Sequence, residues 1–94
     1  MTKNDRTLKA RISGHVQGVS FRAWTKGEAE RLGLTGWVRN EADGSVSALF
    51  SGSPQALETM TERLWTGPAS ARVASVQIEE AAQDEPPTRF EIRY

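Results

Sequence analysis

The stretch Gly14-His15-Val16-Gln17-Gly18-Val19-Ser20-Phe21-Arg22 constrains the chain more than any other. It follows an alternating segment and precedes a helical one, so a glycine-bearing loop must turn a strand directly into a helix. Before it, Leu8, Ala10 and Ile12 alternate with Lys9, Arg11 and Ser13, the period of a half-buried strand that ends at Gly14. After it, Phe21, Trp24, Ala29 and Leu32 recur at helical spacing among good helix formers, and Gly33 supplies a stop. The expected helix runs from Phe21 to Leu32. Gly27 inside it costs about 1 kcal/mol relative to alanine, which implies either close packing or a tolerated weak point.

The second half has the same grammar. Leu34–Arg39 and Ser45–Phe50 flank Ala42-Asp43-Gly44, an Asp-Gly hairpin signal that makes the two strands antiparallel neighbours. Ser53-Pro54 offers an N-cap and a first-turn proline for a helix over Pro54–Trp65, with Leu57, Met60, Thr61 and Leu64 on one side and Gly67-Pro68 beyond its end. Arg72–Glu80 reads as a strand although Val73 and Val76 are out of phase. The polar stretch around Gln83 to Pro87 reads as a loop, and Phe90, Ile92 and Tyr94 share one side of a short last strand. The order β-α-β-β-α-β plus a short terminal β predicts an α+β, ferredoxin-like sandwich: an antiparallel sheet with two helices on one face. At 94 residues there is room for one core. Residues 1–7 are expected to be a flexible lead and 8–94 the domain, with Trp24, Trp37 and Trp65 packed in or around the core.

Composition removes several classes of function. Twelve basic residues balance twelve acidic ones, so no overall field recruits nucleic acid or an anionic membrane, and anion binding has to be local. The absence of cysteine excludes disulfides and thiolate chemistry. No signal-like or membrane-spanning apolar run occurs, which makes the cytoplasm the default location. Neither the lysine and Ser/Thr of a nucleotide-binding P-loop nor the three-glycine dinucleotide fingerprint is present. No cluster at metal-ligand spacing occurs; Asp43 belongs to its turn, and Asp84 with Glu85 to a loop. Ser13, Ser20, Thr25 and Ser47 have no histidine partner identifiable in sequence.

What remains is a local anion site. Backbone N–H groups from His15 to Ser20 can curl around an oxyanion at the positive end of the first helix, with Gly18 permitting the curl. Arg22 lies in the first helical turn, where the helix dipole disfavours a cation; a bound anion would relieve this, and a guanidinium can grip two phosphate oxygens at once. Gln17 can line the loop or be solvated. Ser20 can donate to the anion or cap the helix, the commoner use. Asn40 stands at the end of the second strand, where it either makes a local turn bond or orients a water. A neutral amide positions and does not remove protons. The lone histidine, His15, has no assigned chemistry beyond its place in the loop.

The same residues carry a family resemblance. Gly14 to Arg22, followed by Leu32-Gly33-Leu34-Thr35-Gly36-Trp37-Val38-Arg39-Asn40 and Asp43-Gly44, resembles the acylphosphatase family. The likeness continues through Phe50-Ser51-Gly52, Gly67-Pro68, Ala71-Arg72-Val73 and Phe90 to Tyr94. It implies a ferredoxin-like enzyme that hydrolyses the carboxyl–phosphate bond of acyl phosphates without metal or organic cofactor. It further implies that Arg22 binds phosphate with the backbone of His15, Val16, Gln17, Gly18, Val19 and Ser20, and that Asn40 orients the attacking water. The implied partner is a small-molecule acyl phosphate; the balanced charge argues for no nucleic acid and no membrane, no obligate protein partner is expected, and a monomer is favoured because the pattern reveals no additional apolar surface demanding burial. The rival is a phosphate-binding or protein/RNA interaction module on the same fold, in which Trp37 or Phe50 would face outward as a stacking surface. A regulatory domain of a larger enzyme is a third reading, weakened by a chain that ends at its last strand.

Overall fold

The computed structural model describes residues 5–82 and 87–94. Its elements follow the expected order: β1 (Arg6–His15), α1 (Phe21–Arg31), β2 (Thr35–Asn40), β3 (Val46–Gly52), α2 (Pro54–Thr66), β4 (Arg72–Glu80) and β5 (Phe90–Arg93). One sheet has the strand order β4-β1-β3-β2-β5. All pairs are antiparallel except β2 with β5, which run parallel. The strand alternation read from sequence turns Ala10 and Ile12 of β1, Val38 of β2 and Val46, Ala48 and Phe50 of β3 toward one face. There they join Phe21 and Ala29 of α1, Ala56, Leu57, Met60 and Leu64 of α2, and Phe90 of β5 in a single buried cluster. This is the ferredoxin-like sandwich.

β1 begins at Arg6. Arg6 and Thr7, expected in a flexible lead, are strand residues paired with Gly52 and Ser51, and the Thr7 and Ser51 hydroxyls lie 2.7 Å apart. Residues 1–4 and most of the expected loop (83–86) fall outside the described residues. The phase conflict in β4 has a clear cause. Ser13 pairs with Ser75 but Gly14 with Val73, so Ala74 is an extra residue in a β-bulge, and Val73 and Val76 both pack against the core. Gly14 makes this bulge possible. Its φ is +125°, and a Cβ there would collide with the carbonyl oxygen of Arg72 and lie 2.7 Å from the Ala74 nitrogen.

The tryptophans divide. Trp24 packs against the core, with its ring 5.5 Å from that of Phe21. Trp65, in contrast, is 53% exposed, because the apolar stripe of α2 runs through Leu57, Met60 and Leu64 and leaves position 65 outside it. Trp37 belongs to the sheet face away from the core cluster, with the guanidinium groups of Arg39 (4.8 Å) and Arg93 (5.0 Å) over its ring. Phe50 is buried and stacked on Phe90, so it offers no surface to a base.

The β2–β3 hairpin sets where Asn40 ends up. Glu41 donates its backbone N–H to the Ser45 carbonyl (2.8 Å) and Gly44 to the Glu41 carbonyl (3.2 Å), closing a short loop in which Gly44 has the positive φ, +93°. The Asp43 carboxylate accepts from both the hydroxyl (2.6 Å) and the backbone N–H (3.0 Å) of Ser45. Those bonds, the hydroxyl first, hold the Asp43 pKa below its ordinary value. The Ser47 hydroxyl and then Arg39 do the same for Glu41.

Three substitutions and one titration check this account. Gly27 has a helical backbone, and a would-be Cβ there would meet only the Arg31 Nη2, at an ordinary contact distance of 4.0 Å, so Gly27→Ala should raise stability by up to about 1 kcal/mol. Gly14→Ala should lower it by about 2–4 kcal/mol, since a left-handed backbone and a steric collision combine; chemical denaturation reads both. A depressed carboxylate pKa contributes stability that is present above the unfolded pKa and lost as pH falls through the folded one. The Tm difference between wild type and Asp43→Ala should therefore shrink on acidification below the ordinary aspartate range, and the Asp43 carboxyl should titrate by NMR below an unperturbed aspartate.

Candidate active site

The turn from β1 into α1 is held from inside and left open outside. Val16 is buried, Val19 packs against the core and Phe21 is buried, so these apolar anchors fix the loop and direct its backbone outward. Two residues between them adopt left-handed conformations: Gly18 at φ +73° and Ser20 at φ 62°, ψ 24°. Ser20 is the sole described non-glycine residue with positive φ, a strain of about 1–2 kcal/mol of the kind that collects at functional sites. Left-handed residues in such a turn point successive N–H groups into a common concavity.

Ser20 occupies the N-cap position, but its side chain makes no capping bond, contrary to the use favoured from sequence. Its left-handed backbone is not the extended conformation from which a serine normally caps. The comparison with α2 is direct, because there Ser53 is extended (φ −67°, ψ 150°) and its hydroxyl accepts from the Ala56 N–H at 3.2 Å. In α1 the first helical bond runs from the Trp24 N–H to the Ser20 carbonyl at 3.0 Å. The earlier amides of the turn have, as in any helix, no intrahelical acceptor. No acidic residue stands in that turn; its charged side chain is Arg22.

Arg22 is held by the C-terminal end of the chain. Its Nη1 donates to the Arg93 carbonyl at 3.2 Å, and its guanidinium carbon lies 4.7 Å from the centroid of the Tyr94 ring, a cation–π arrangement. One of the five guanidinium N–H groups is thus engaged on protein, and the rest of the fork remains for an anion. The parallel register brings this about: Val38 pairs with Ile92 and Arg39 with Arg93, so the chain end emerges alongside Asn40.

Val16, Gly18, Ser20, Phe21, Arg22, Ala23, Asn40, Ile92 and Tyr94 line one small cavity of about 180 Å³. At about 30 Å³ per water that is some six waters' worth of space, enough for a phosphoryl group with a water beside it. Of the residues singled out from sequence, Val16, Gly18, Ser20, Arg22 and Asn40 meet here. His15, Gln17 and Val19 are not part of the lining: His15 is exposed and paired with Arg72 at the end of β1, Val19 is turned to the core, and Gln17 is turned to the hairpin. Ile92, Arg93 and Tyr94 were missed as site residues. The signal that could have found them is the pairing of Val38 with Ile92, since a parallel β5 carries its last residue to the end of β2.

A larger groove of about 800 Å³ lies along the other face of the sheet, between Lys9, Arg11, Arg39, Glu41, Ser47, Gln77 and Glu79. Its arginines already face acids, Arg39 with Glu41 at 3.1 Å and Arg11 with Asp43 at 3.8 Å. No helix terminus adds donors to it, so the smaller cavity is the better anion site. Among the described residues no three His, Asp or Glu side chains cluster as a metal site requires, and no helix is long and apolar enough to cross a membrane.

The chain is similar to known proteins over nearly its whole length. The acylphosphatase family model matches residues 8–92. An acylphosphatase of Rhizobium meliloti (strain 1021) is 55% identical over 92 residues, covering 98% of this chain and 97% of the relative. The structure of an acylphosphatase from Coxiella burnetii superposes with a TM-score of 0.92 at 38% identity, covering 99% of this chain and 100% of that one. The acylphosphatase from Bacillus subtilis does so with a TM-score of 0.89 at 34% identity, covering 94% and 98%. The chain belongs to the acylphosphatase family.

Proposed function

We propose that this protein hydrolyses the carboxyl–phosphate bond of small acyl phosphates by direct attack of a positioned water, with Arg22 and Asn40 as its catalytic residues. The observation that carries the reading is the convergence of an uncapped helix start, a left-handed loop, Arg22 and Asn40 on one cavity. Family membership supports the reaction, and the geometry supports the roles.

The division of labour follows from charge. The phosphoryl group carries its negative charge on oxygens that the loop amides and the α1 terminus face as partial positive charges. The Arg22 fork adds a full charge whose direction is already set by Arg93 and Tyr94, so little reorganisation is needed as charge develops. A carboxylate is a good leaving group and departs without a general acid. What the enzyme must supply is an aligned water, and the Asn40 amide can accept from that water through its carbonyl and donate to a phosphoryl oxygen through its N–H. The water oxygen forms the new bond to phosphorus as the bond to the carboxylate oxygen breaks. The released proton passes to a phosphoryl oxygen, since the reading assigns no side-chain base. The chemistry requires no metal in this scheme.

Turnover of benzoyl phosphate, followed by the loss of its absorbance, tests each part. Arg22→Ala should lose at least about 100-fold in kcat, the scale for removing a preorganised donor at a developing charge, and should bind inorganic phosphate more weakly. Arg22→Lys should not restore the rate, because an ammonium lacks the planar fork. Asn40→Ala should lose comparable turnover while inorganic phosphate inhibits almost as before. Wild-type activity should be unchanged in EDTA. A folded Arg22→Ala protein with full activity would sink the assignment.

A further inference from the structure

The Gln17 side chain turns away from the cavity and reaches across to the β2–β3 hairpin. Its Nε2 donates to the Glu41 carbonyl at 2.8 Å and to the Ser45 carbonyl at 2.9 Å, so both amide N–H groups are used and both point at the hairpin. Those carbonyls close the loop that follows Asn40, and the Ser45 carbonyl also accepts from the Glu41 N–H at 2.8 Å. Gln17 lies between buried Val16 and left-handed Gly18, inside the segment that presents its backbone to the anion. The direct strand pairing of β1 with β3 ends at Ile12 and Val46, before either the loop or the hairpin turn begins. Beyond that point, Gln17 supplies a side-chain link between the two.

We infer that Gln17 is a positioning residue for hydrolysis: it fixes the distance between the phosphate-holding loop and Asn40, and so the line of attack of the water on a bound phosphoryl group. The inference rests on the reaction proposed above. Two part-buried hydrogen bonds converging on one amide form a rigid strut, since losing the donor removes both links at once and leaves each carbonyl only its backbone donor within the hairpin. Alignment is steep in its effect, because a displacement of about 1 Å can cost on the order of 100-fold in rate. Binding of phosphate is less sensitive, because its charged and backbone donors, Arg22 and the loop amides, lie on the loop side of the strut, and only the Asn40 amide lies across it. The wide spacing of Gln17 from residues 41 and 45 in sequence hides this function from any local pattern.

The test uses the intact protein and three substitutions, with folding checked by Tm, benzoyl phosphate as substrate and inorganic phosphate as the binding probe. Gln17→Met, similar in length but without a donor, should lower kcat at least about tenfold with the inhibition constant of phosphate changed less than about threefold. Gln17→Lys, whose ammonium can donate to both carbonyls, should recover most of that kcat. In an Asn40→Ala background Gln17→Met should add almost nothing, because the residue acts through Asn40. Should Gln17→Met fail to fold, Gln17→Ala takes its place. A folded variant with wild-type kcat overturns the inference. So does a loss of kcat matched by an equal loss of phosphate affinity, or one that persists in full in the Asn40→Ala background. Lack of turnover by the wild type would instead refute the proposed reaction, so the two failures are distinguishable.

Discussion

Everything at the site depends on α1 starting without a side-chain cap. A helix start normally satisfies part of its orphan amides with the residue before it, as Ser53 does for α2. Ser20 stands at the equivalent place with its backbone rotated into the left-handed region and its hydroxyl bonded to none of those amides. The chain accepts this strain only because Val16, Val19 and Phe21 tie the segment to the core on both sides of it. The result is a concavity of partial positive charge that exists before any ligand arrives, with Arg22 beside it. Preorganisation of that kind is what electrostatic catalysis needs, because dipoles already oriented spend nothing on reorientation during the reaction.

The rest of the fold brings three separate pieces to this point. β1 ends in the loop, the β2–β3 hairpin carries Asn40, and β5 delivers Arg93 and Tyr94 to the guanidinium. Each is anchored differently: the loop by apolar side chains, the hairpin by Asp43 and Gln17, and the chain end by parallel pairing with β2. Arg93 couples two faces of the sheet, because its carbonyl holds Arg22 while its guanidinium lies on Trp37. A sheet with helices on one face leaves its other face to surface ion pairs, and such exposed pairs contribute little to stability. The proposed catalytic machinery therefore sits at one end of the sandwich, where strand ends and a helix start meet.

The elements were legible from residue patterns because they are local. Alternation at Leu8, Ala10 and Ile12, the Asp43-Gly44 hairpin, and the Ser53-Pro54 helix start each announce themselves within a few residues. The proposed anion site was legible for the same reason, since Gly18 and an arginine in a first helical turn are neighbours in sequence. What could not be read were features created by distant pairing. The bulge at Ala74 resolves the phase of Val73 and Val76 only against Gly14 on β1. Tyr94 enters the site only because β5 lies parallel to β2. Gln17 read as lining the loop or solvated, because its acceptors lie beyond two intervening elements. Ser20 misled for a subtler reason: its residue type says cap, and only its φ says otherwise.

The central claim is that loop amides and Arg22 hold a phosphoryl group beside Asn40. Its most direct test is a titration of the ¹⁵N-labelled protein with inorganic phosphate, following backbone amides and the Arg22 side chain by NMR. The account predicts saturable shifts concentrated at residues 16–23 and at Asn40, abolished by Arg22→Ala. Shifts that map instead to Lys9, Arg11 and Arg39 on the other face of the sheet, or that survive Arg22→Ala unchanged, would contradict it.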